Sequence, residues 1–166
     1  MRNNISEILN DLKSKMTNWN YPIEEPITGQ YIESMTKRKS TAGLSPMLEK
    51  LGDEVYLLFV NQPDYVTFLE TMDGFEFDGL ILFSLSIPEP LVRNLFVMND
   101  FYRNNDDYIN PDLSERIVIG NDSISIFTYD SIKNLFEIRD NVGTENVFSS
   151  FSYFTDFLSE ILATVA

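Results

Sequence analysis

The sequence contains no cysteine and no histidine. Without cysteine the chain forms no disulfides and has no thiolate chemistry, and without an imidazole it lacks the base that Cys–His and Ser–His catalytic pairs need. A zinc site would have to be built from carboxylates alone, which is rare. The absence of cysteine is typical of proteins from a reducing cytosol. We expect no cofactor and no metal.

Long apolar runs are missing as well. The N-terminal stretch MRNNISEILNDLKSKM interrupts its apolar residues with charges, so it lacks the apolar core of a signal peptide. No run approaches the roughly 20 apolar residues that cross a membrane. We therefore expect a soluble cytoplasmic protein that does not associate with membranes.

Basic residues are scarce, with 12 against 26 acidic ones, and the net charge is −14. Residues 1–83 carry 13 acids and 7 bases and residues 84–166 carry 13 and 5, so the excess is spread along the chain. Such a field repels nucleic acid and anionic lipid. It favours a basic protein partner, whose association it accelerates. Solubility alone is the alternative explanation of the charge.

The chain is long enough for one domain with a sizeable core, because 43% of its 166 residues are hydrophobic. The first predicted element is a helix, with Asn4 and Glu7 as a capping pair and Trp19 extending its apolar stripe. Pro22 and Pro26 end that helix. Its apolar face is formed by Ile5, Ile8, Leu9, Leu12 and Met16.

Residues 28–53 are the least readable part of the chain. The basic stretch TKRKSTAG (36–43) is typical of a solvated loop, and its basic triplet is too short to predict nucleic-acid binding. SPMLEKLG (45–52) predicts a short helix with Ser45 as its N-cap, Pro46 at its first position and Gly52 as its stop. VYLLFV (55–60) fits either a buried strand or the end of a helix.

The rest of the chain alternates helical and strand patterns. Residues 63–72 predict a helix that Asp73-Gly74 stops, with Phe75 and Phe77 anchoring the corner to a strand. Ser150 is expected to cap a C-terminal helix. An antiparallel meander is predicted in the last third, and the fold class is α+β, an antiparallel sheet flanked by helices. The predicted strands are 79–84, 116–120, 123–129 and 134–139, and a further helix is predicted at 88–106.

Four segments resemble one family. The pattern Pro63-x-Tyr65-x-x-Phe68-Leu69-x-x-x-Asp73-Gly74 is similar to a helix of the SUKH superfamily, which includes fungal cell-wall-synthesis regulators and bacterial immunity proteins. The strand 79–84 matches the family's next element. Residues 119–126 resemble its strand, glycine and acidic turn, and residues 149–158 resemble its closing helix. The segment FDGLILFSL points to the YrhA-like branch.

The resemblance covers residues 60–84 and 115–163 in the family's order, within one SUKH-like domain spanning 1–166. Residues 1–60 match poorly, and Ser125 stands where a glycine-rich stretch is common. The resemblance implies an α+β domain and, in bacteria, an immunity protein. Such a protein binds a toxin, often a nuclease, and neutralises it in the cytoplasm of the protected cell.

Three functions remain open. The chain is an immunity protein with an acidic face, a regulatory or scaffold protein with no toxin partner, or an enzyme built on paired carboxylates. We favour the first and expect no catalytic residues. The pairs that an enzyme would use are Glu76 with Asp78, Asp106 with Asp107, and Asp112 with Glu115. The partner-binding residues predicted for the acidic face are Glu76, Asp78, Asp106, Asp107 and Asp122.

Overall fold

The computed structural model describes residues 4–30, 46–85, 94–103 and 110–165. The stretch TKRKSTAG, the predicted cap Ser45 and both ends of the helix predicted at 88–106 lie outside these ranges. The helices with described bounds are α1 (Ile5–Asn18), α2 (Pro46–Asn61), α3 (Pro63–Thr71), α4 (Leu95–Arg103), α5 (Pro111–Ser114) and α6 (Phe154–Leu162). The strands are β1 (Phe75–Phe77), β2 (Leu80–Leu82), β3 (Ile117–Asn121), β4 (Ser125–Asp130), β5 (Leu135–Asp140) and β6 (Val147–Phe151).

The six strands form one antiparallel sheet in the order β1-β2-β3-β4-β5-β6. The predicted α+β class and the antiparallel meander are therefore confirmed. One cluster of buried apolar side chains runs from Leu9 in α1 to Ile161 in α6. The helices of both ends of the chain thus share a core with the sheet.

Residues 71–83, TMDGFEFDGLILF, contain a β-hairpin that the sequence pattern did not predict. Residues 75–77 are not merely a corner, because they form strand β1, which pairs with β2. The two residues between the strands, Asp78 and Gly79, have φ angles of +53° and +83°. Positive φ at both positions is the geometry of a tight hairpin turn, for which Asp-Gly is a preferred pair. Phe75 and Phe77 are buried, as expected for anchors.

Two predicted helix boundaries were wrong. Gly52 does not stop α2, because the helix continues through VYLLFV to Asn61 and buries one continuous apolar stripe. Ser150 does not cap the last helix, since it lies in β6, and Tyr153 is the residue that precedes α6. The stripe of α2 is formed by Leu51, Val55, Leu58 and Phe59.

The first helix begins as predicted and ends earlier. The Asn4 side chain accepts a hydrogen bond from the backbone N–H of Ser6, so the N-cap is confirmed. Trp19 does not extend the buried stripe, because it follows the end of the helix and is 67% exposed. The helix is ended by Asn20, with φ of +61°, before the chain reaches Pro22.

The two faces of the sheet differ in chemistry. On one face Tyr129 and Phe136 lie opposite each other on β4 and β5, and Phe136 stacks on Phe157 of α6 at 5.4 Å between ring centroids. The neighbouring pair Thr128 and Glu137 points to the other face, because successive residues of a strand alternate. One face is therefore sealed by aromatic rings, and the other buries polar and charged groups.

Candidate binding groove

An open groove of about 370 Å³ crosses one end of the aromatic face. Its floor is formed by Leu80, Phe127 and Ile138, from three different strands. Two tight turns form one wall and the last residues of α6 form the other. Its remaining lining residues are Asp78, Gly79, Asp122, Ser123, Ile124, Ser125, Phe148, Ser149, Glu160, Ile161, Thr164 and Val165.

Three carboxylates line this groove: Asp78, Asp122 and Glu160. The β1–β2 turn supplies Asp78. Asp122 lies in the turn between β3 and β4, where its Oδ1 accepts the backbone N–H groups of Ile124 and Ser125 at 2.9 and 2.7 Å. No described residue donates a hydrogen bond to the second carboxylate oxygen, so the negative charge remains available at the rim.

The groove also exposes apolar side chains. Ile124 is 68% exposed and Phe148 is 54% exposed, and both line it. Phe148 belongs to β6, the last strand of the sheet. Apolar anchors beside polar groups are the composition that protein interfaces favour.

None of the described side chains that line the groove is basic. None of its three carboxylates forms an ion pair with a described residue. The end of α6 that forms the wall is its C-terminal end, where the carbonyl groups carry partial negative charge, and the last turn has no basic residue. The groove therefore presents an anionic rim over an apolar floor.

The predicted partner-binding residues separate in the structure. Asp78 and Asp122 meet in the groove. Glu76 is exposed but points to the opposite face of the sheet from Phe75 and Phe77. Asp106 and Asp107 lie outside the described residues.

Sequence reasoning missed Glu160, Ile124 and Phe148 as groove residues. Glu160 is one of several helix-surface acids, and nothing in its spacing sets it apart. Phe148 was missed because strand β6 was missed. A signal was present there, since VFSSF places apolar residues at both ends of a short run that precedes a helix.

Every arginine in the described ranges takes part in the charged network on the other face. Arg103 of α4 contacts Glu54 of α2 at 2.6 Å. Arg116 contacts Glu137 at 3.0 Å, and Arg139 contacts the same Glu137 oxygen at 3.0 Å. These three arginines balance three acids, Glu54, Asp130 and Glu137, so the other residues of the chain carry the whole net charge of −14.

Burial raises the pKa of the Glu54 carboxyl, and the facing Arg103 lowers it. The effect of burial is larger, so the pKa lies above its ordinary value. Burial also raises the pKa of Glu24, and the nearby Asp73 adds to that rise. Neither group lines the groove. Both acids are buried in the interior of the fold.

The described residues contain no cluster of acids that could hold a metal ion. In one of the carboxylate pairs considered for an enzyme, Asp112 is half-buried and accepts a hydrogen bond from the Thr144 hydroxyl at 3.2 Å, whereas Glu115 is exposed.

In the part of the chain that the structure describes, no helix is long and apolar enough to span a bilayer.

Comparison with known proteins gives one strong relative. A protein of Escherichia coli strain K12, named only as uncharacterized protein YrhA, is 59% identical over 122 residues, which is 74% of this chain and 88% of the relative. The chain belongs to the YrhA family. No family model matches the sequence. No solved structure matches it either. The relationship to YrhA leaves membership of the SUKH superfamily a prediction, because the relative's name states no function.

Proposed function

We propose that this member of the YrhA family is a cytoplasmic immunity protein of the SUKH type, which binds a basic protein toxin and neutralises it. The observation that carries the proposal is the groove that gathers Asp78, Asp122 and Glu160 around exposed Ile124 and Phe148. Nuclease toxins are the class that fits best, because their substrate-binding clefts are basic. Carboxylates can take the place of the phosphates in such a cleft.

The proposed mode of action is binding without catalysis. The sequence has no histidine or cysteine, and the groove carboxylates face an open, solvated surface rather than a closed site. Exposed anionic side chains speed the encounter with a basic partner. The apolar floor then supplies contact area that excludes water.

The experiment is a protection assay with the product of the reading frame next to this gene. That product is expressed in cells that also make this chain, and growth and complex formation are measured. The test variant carries Asp78→Asn, Asp122→Asn and Glu160→Gln. Asn at 78 and 122 still suits both turns, because Asn-Gly is a preferred hairpin pair and the Asn carbonyl can accept the same backbone bonds.

The matched control removes three exposed charges elsewhere, with Glu70→Gln, Glu76→Gln and Glu145→Gln. We expect the natural chain and the control to protect cells, and the groove variant to lose protection and to bind at least about tenfold more weakly, as expected when charge pairs are lost. A neighbouring product that is harmless, together with a growth defect on deleting this gene alone, would favour a regulatory or scaffold protein instead.

A further inference from the structure

A second, smaller pocket adjoins the groove and shares Asp78 with it. It has a volume of about 140 Å³ and is lined by Trp19, Tyr21, Phe77 and Asp78. Three of these four described lining residues are aromatic, and the fourth is a carboxylate. This composition differs from that of the groove, whose described lining includes only two aromatic residues among its fifteen.

The end of α1 fixes two of the aromatic rings. The backbone N–H of Asn20 donates to the carbonyl of Thr17, and that of Tyr21 donates to Met16 at 2.8 Å. These two bonds, with Asn20 in the left-handed conformation, form a Schellman motif. Trp19 and Tyr21 therefore leave a rigid helix end, on either side of the residue that reverses the chain.

The β1–β2 hairpin fixes the other two lining residues. Phe77 is the last residue of β1 and Asp78 is the first residue of the turn. The Phe77 ring is buried and meets Tyr21 edge to face, with 4.9 Å between the centroids and 81° between the planes. The pocket is consequently formed by the end of α1 and the β1–β2 hairpin, which pack on each other. This rigidity lowers the entropy lost when a ligand binds.

The core does not explain the position of Trp19. Its indole is 67% exposed although it is the largest apolar side chain in the sequence. The faces of aromatic rings carry partial negative charge and attract cations, and tryptophan does so most strongly. A carboxylate beside such a face adds a point charge of the same sign, so the pocket favours a cation over a neutral or anionic group.

We propose that this pocket binds the guanidinium group of an arginine side chain that the partner presents beside the groove. A guanidinium suits the site better than an ammonium because it is planar, stacks on aromatic rings and is more weakly hydrated. Asp78 then connects the arginine pocket with the remaining carboxylates of the groove. The inference rests on the proposed function, and it narrows the partner to one with an exposed arginine at the contact.

Trp19 supplies the readout, since it is the single tryptophan of the chain. The probe is N-acetylarginine amide, titrated at constant ionic strength while the tryptophan fluorescence is recorded. N-acetylcitrulline amide, which has nearly the same shape without the charge, and N-acetyllysine amide are titrated in parallel. We expect a saturable change in fluorescence with the arginine probe. The other two probes are expected to bind at least about fivefold more weakly.

The variant is Asp78→Asn and its matched control is Glu76→Gln, which removes the same charge two residues away on the exposed face of β1. We expect Asp78→Asn to weaken binding of the arginine probe about fivefold or more and Glu76→Gln to leave it unchanged. Equal binding of arginine and citrulline, equal binding of lysine, or equal loss in both variants would each overturn the inference.

The titration and the protection assay fail independently. If the groove variant loses protection but the arginine probe does not bind, the immunity function stands and the arginine pocket is wrong. If the probe binds as expected but no toxin is neutralised, the pocket stands as an arginine site and the immunity function is wrong.

Discussion

The acids on the two sides of the sheet are in opposite situations. In the charged network on one face, Glu54 and Glu137 are buried, and an arginine lies within hydrogen-bond distance of each. In the groove on the other face, Asp78, Asp122 and Glu160 have no described cation beside them. Acids are abundant in both regions, but only one region neutralises them internally.

The difference shows which acids folding requires. A buried carboxylate without a partner is costly, and the fold places arginines beside two of the acids it encloses, Glu54 and Glu137. An exposed carboxylate stays hydrated and needs no such partner. Folding therefore does not require the groove acids, and they remain available to bind cations of another molecule. This contrast predicts large stability effects in the network and none in the groove.

The largest expected effect follows from removing Arg103. Arg103→Met would leave Glu54 buried without its cation, and breaking a buried pair in this way costs about 3–5 kcal/mol. Urea unfolding at pH 7 measures this loss. The double variant Glu54→Leu with Arg103→Met should recover most of it, because a buried ion pair can often be replaced by apolar residues.

If Arg103→Met unfolds at the same urea concentration as the natural chain, the charged network contributes little to the free energy of unfolding. The buried acids would then not depend on their arginines for stability, and the two sides of the sheet would not differ energetically. The exposed-lysine variant Lys133→Met serves as a control for the loss of one positive charge, since Lys133 lies in the exposed turn between β4 and β5.

A smaller effect, dependent on pH, is expected at Glu24. This acid is 6% exposed and has no described cation partner. Its pKa in the folded state is raised above the ordinary 4.5, by burial first and then by Asp73. Its contribution to stability is therefore fully present below about pH 4.5 and is lost as the pH rises through the folded pKa.

Glu24→Gln should accordingly stabilise the protein at pH 7, and this gain should shrink as the pH is lowered towards 4.5. Urea unfolding at pH 7, 5.5 and 4.5 provides the measurement. Glu25→Gln, which removes the same charge from an exposed neighbour, is the control. A gain of constant size at all three pH values would mean that proton binding at Glu24 is not its cause.

Much of the fold could be predicted from the sequence where a pattern is local. The N-cap at Asn4, the helix at 63–71 and the antiparallel strands after residue 116 follow from periodicity and turn chemistry. The errors arose where a local signal was outweighed. Gly52 favours a helix end, but the apolar stripe that continues through Phe59 gains more from burial than the glycine costs.

The site was less predictable because it depends on long-range contacts. Asp78 and Asp122 are 44 residues apart in the sequence, and they meet only because β2 pairs with β3. The second Asp-Gly pair gave a usable signal for the hairpin that presents Asp78. No sequence pattern indicates that Glu160, on a helix at the other end of the chain, faces the same groove.

The smallest expected effect, and the sharpest test of the comparison, concerns the stability of the groove variant. Asp78→Asn, Asp122→Asn and Glu160→Gln together should change the free energy of unfolding by less than about 0.5 kcal/mol, because the charges are solvated and the turns are preserved. Urea unfolding at pH 7 measures this alongside the Arg103 variants. A loss of more than about 2 kcal/mol would show that these acids are part of the fold's own stability, as in the network. A stable variant that no longer binds the toxin would instead assign the groove acids to recognition.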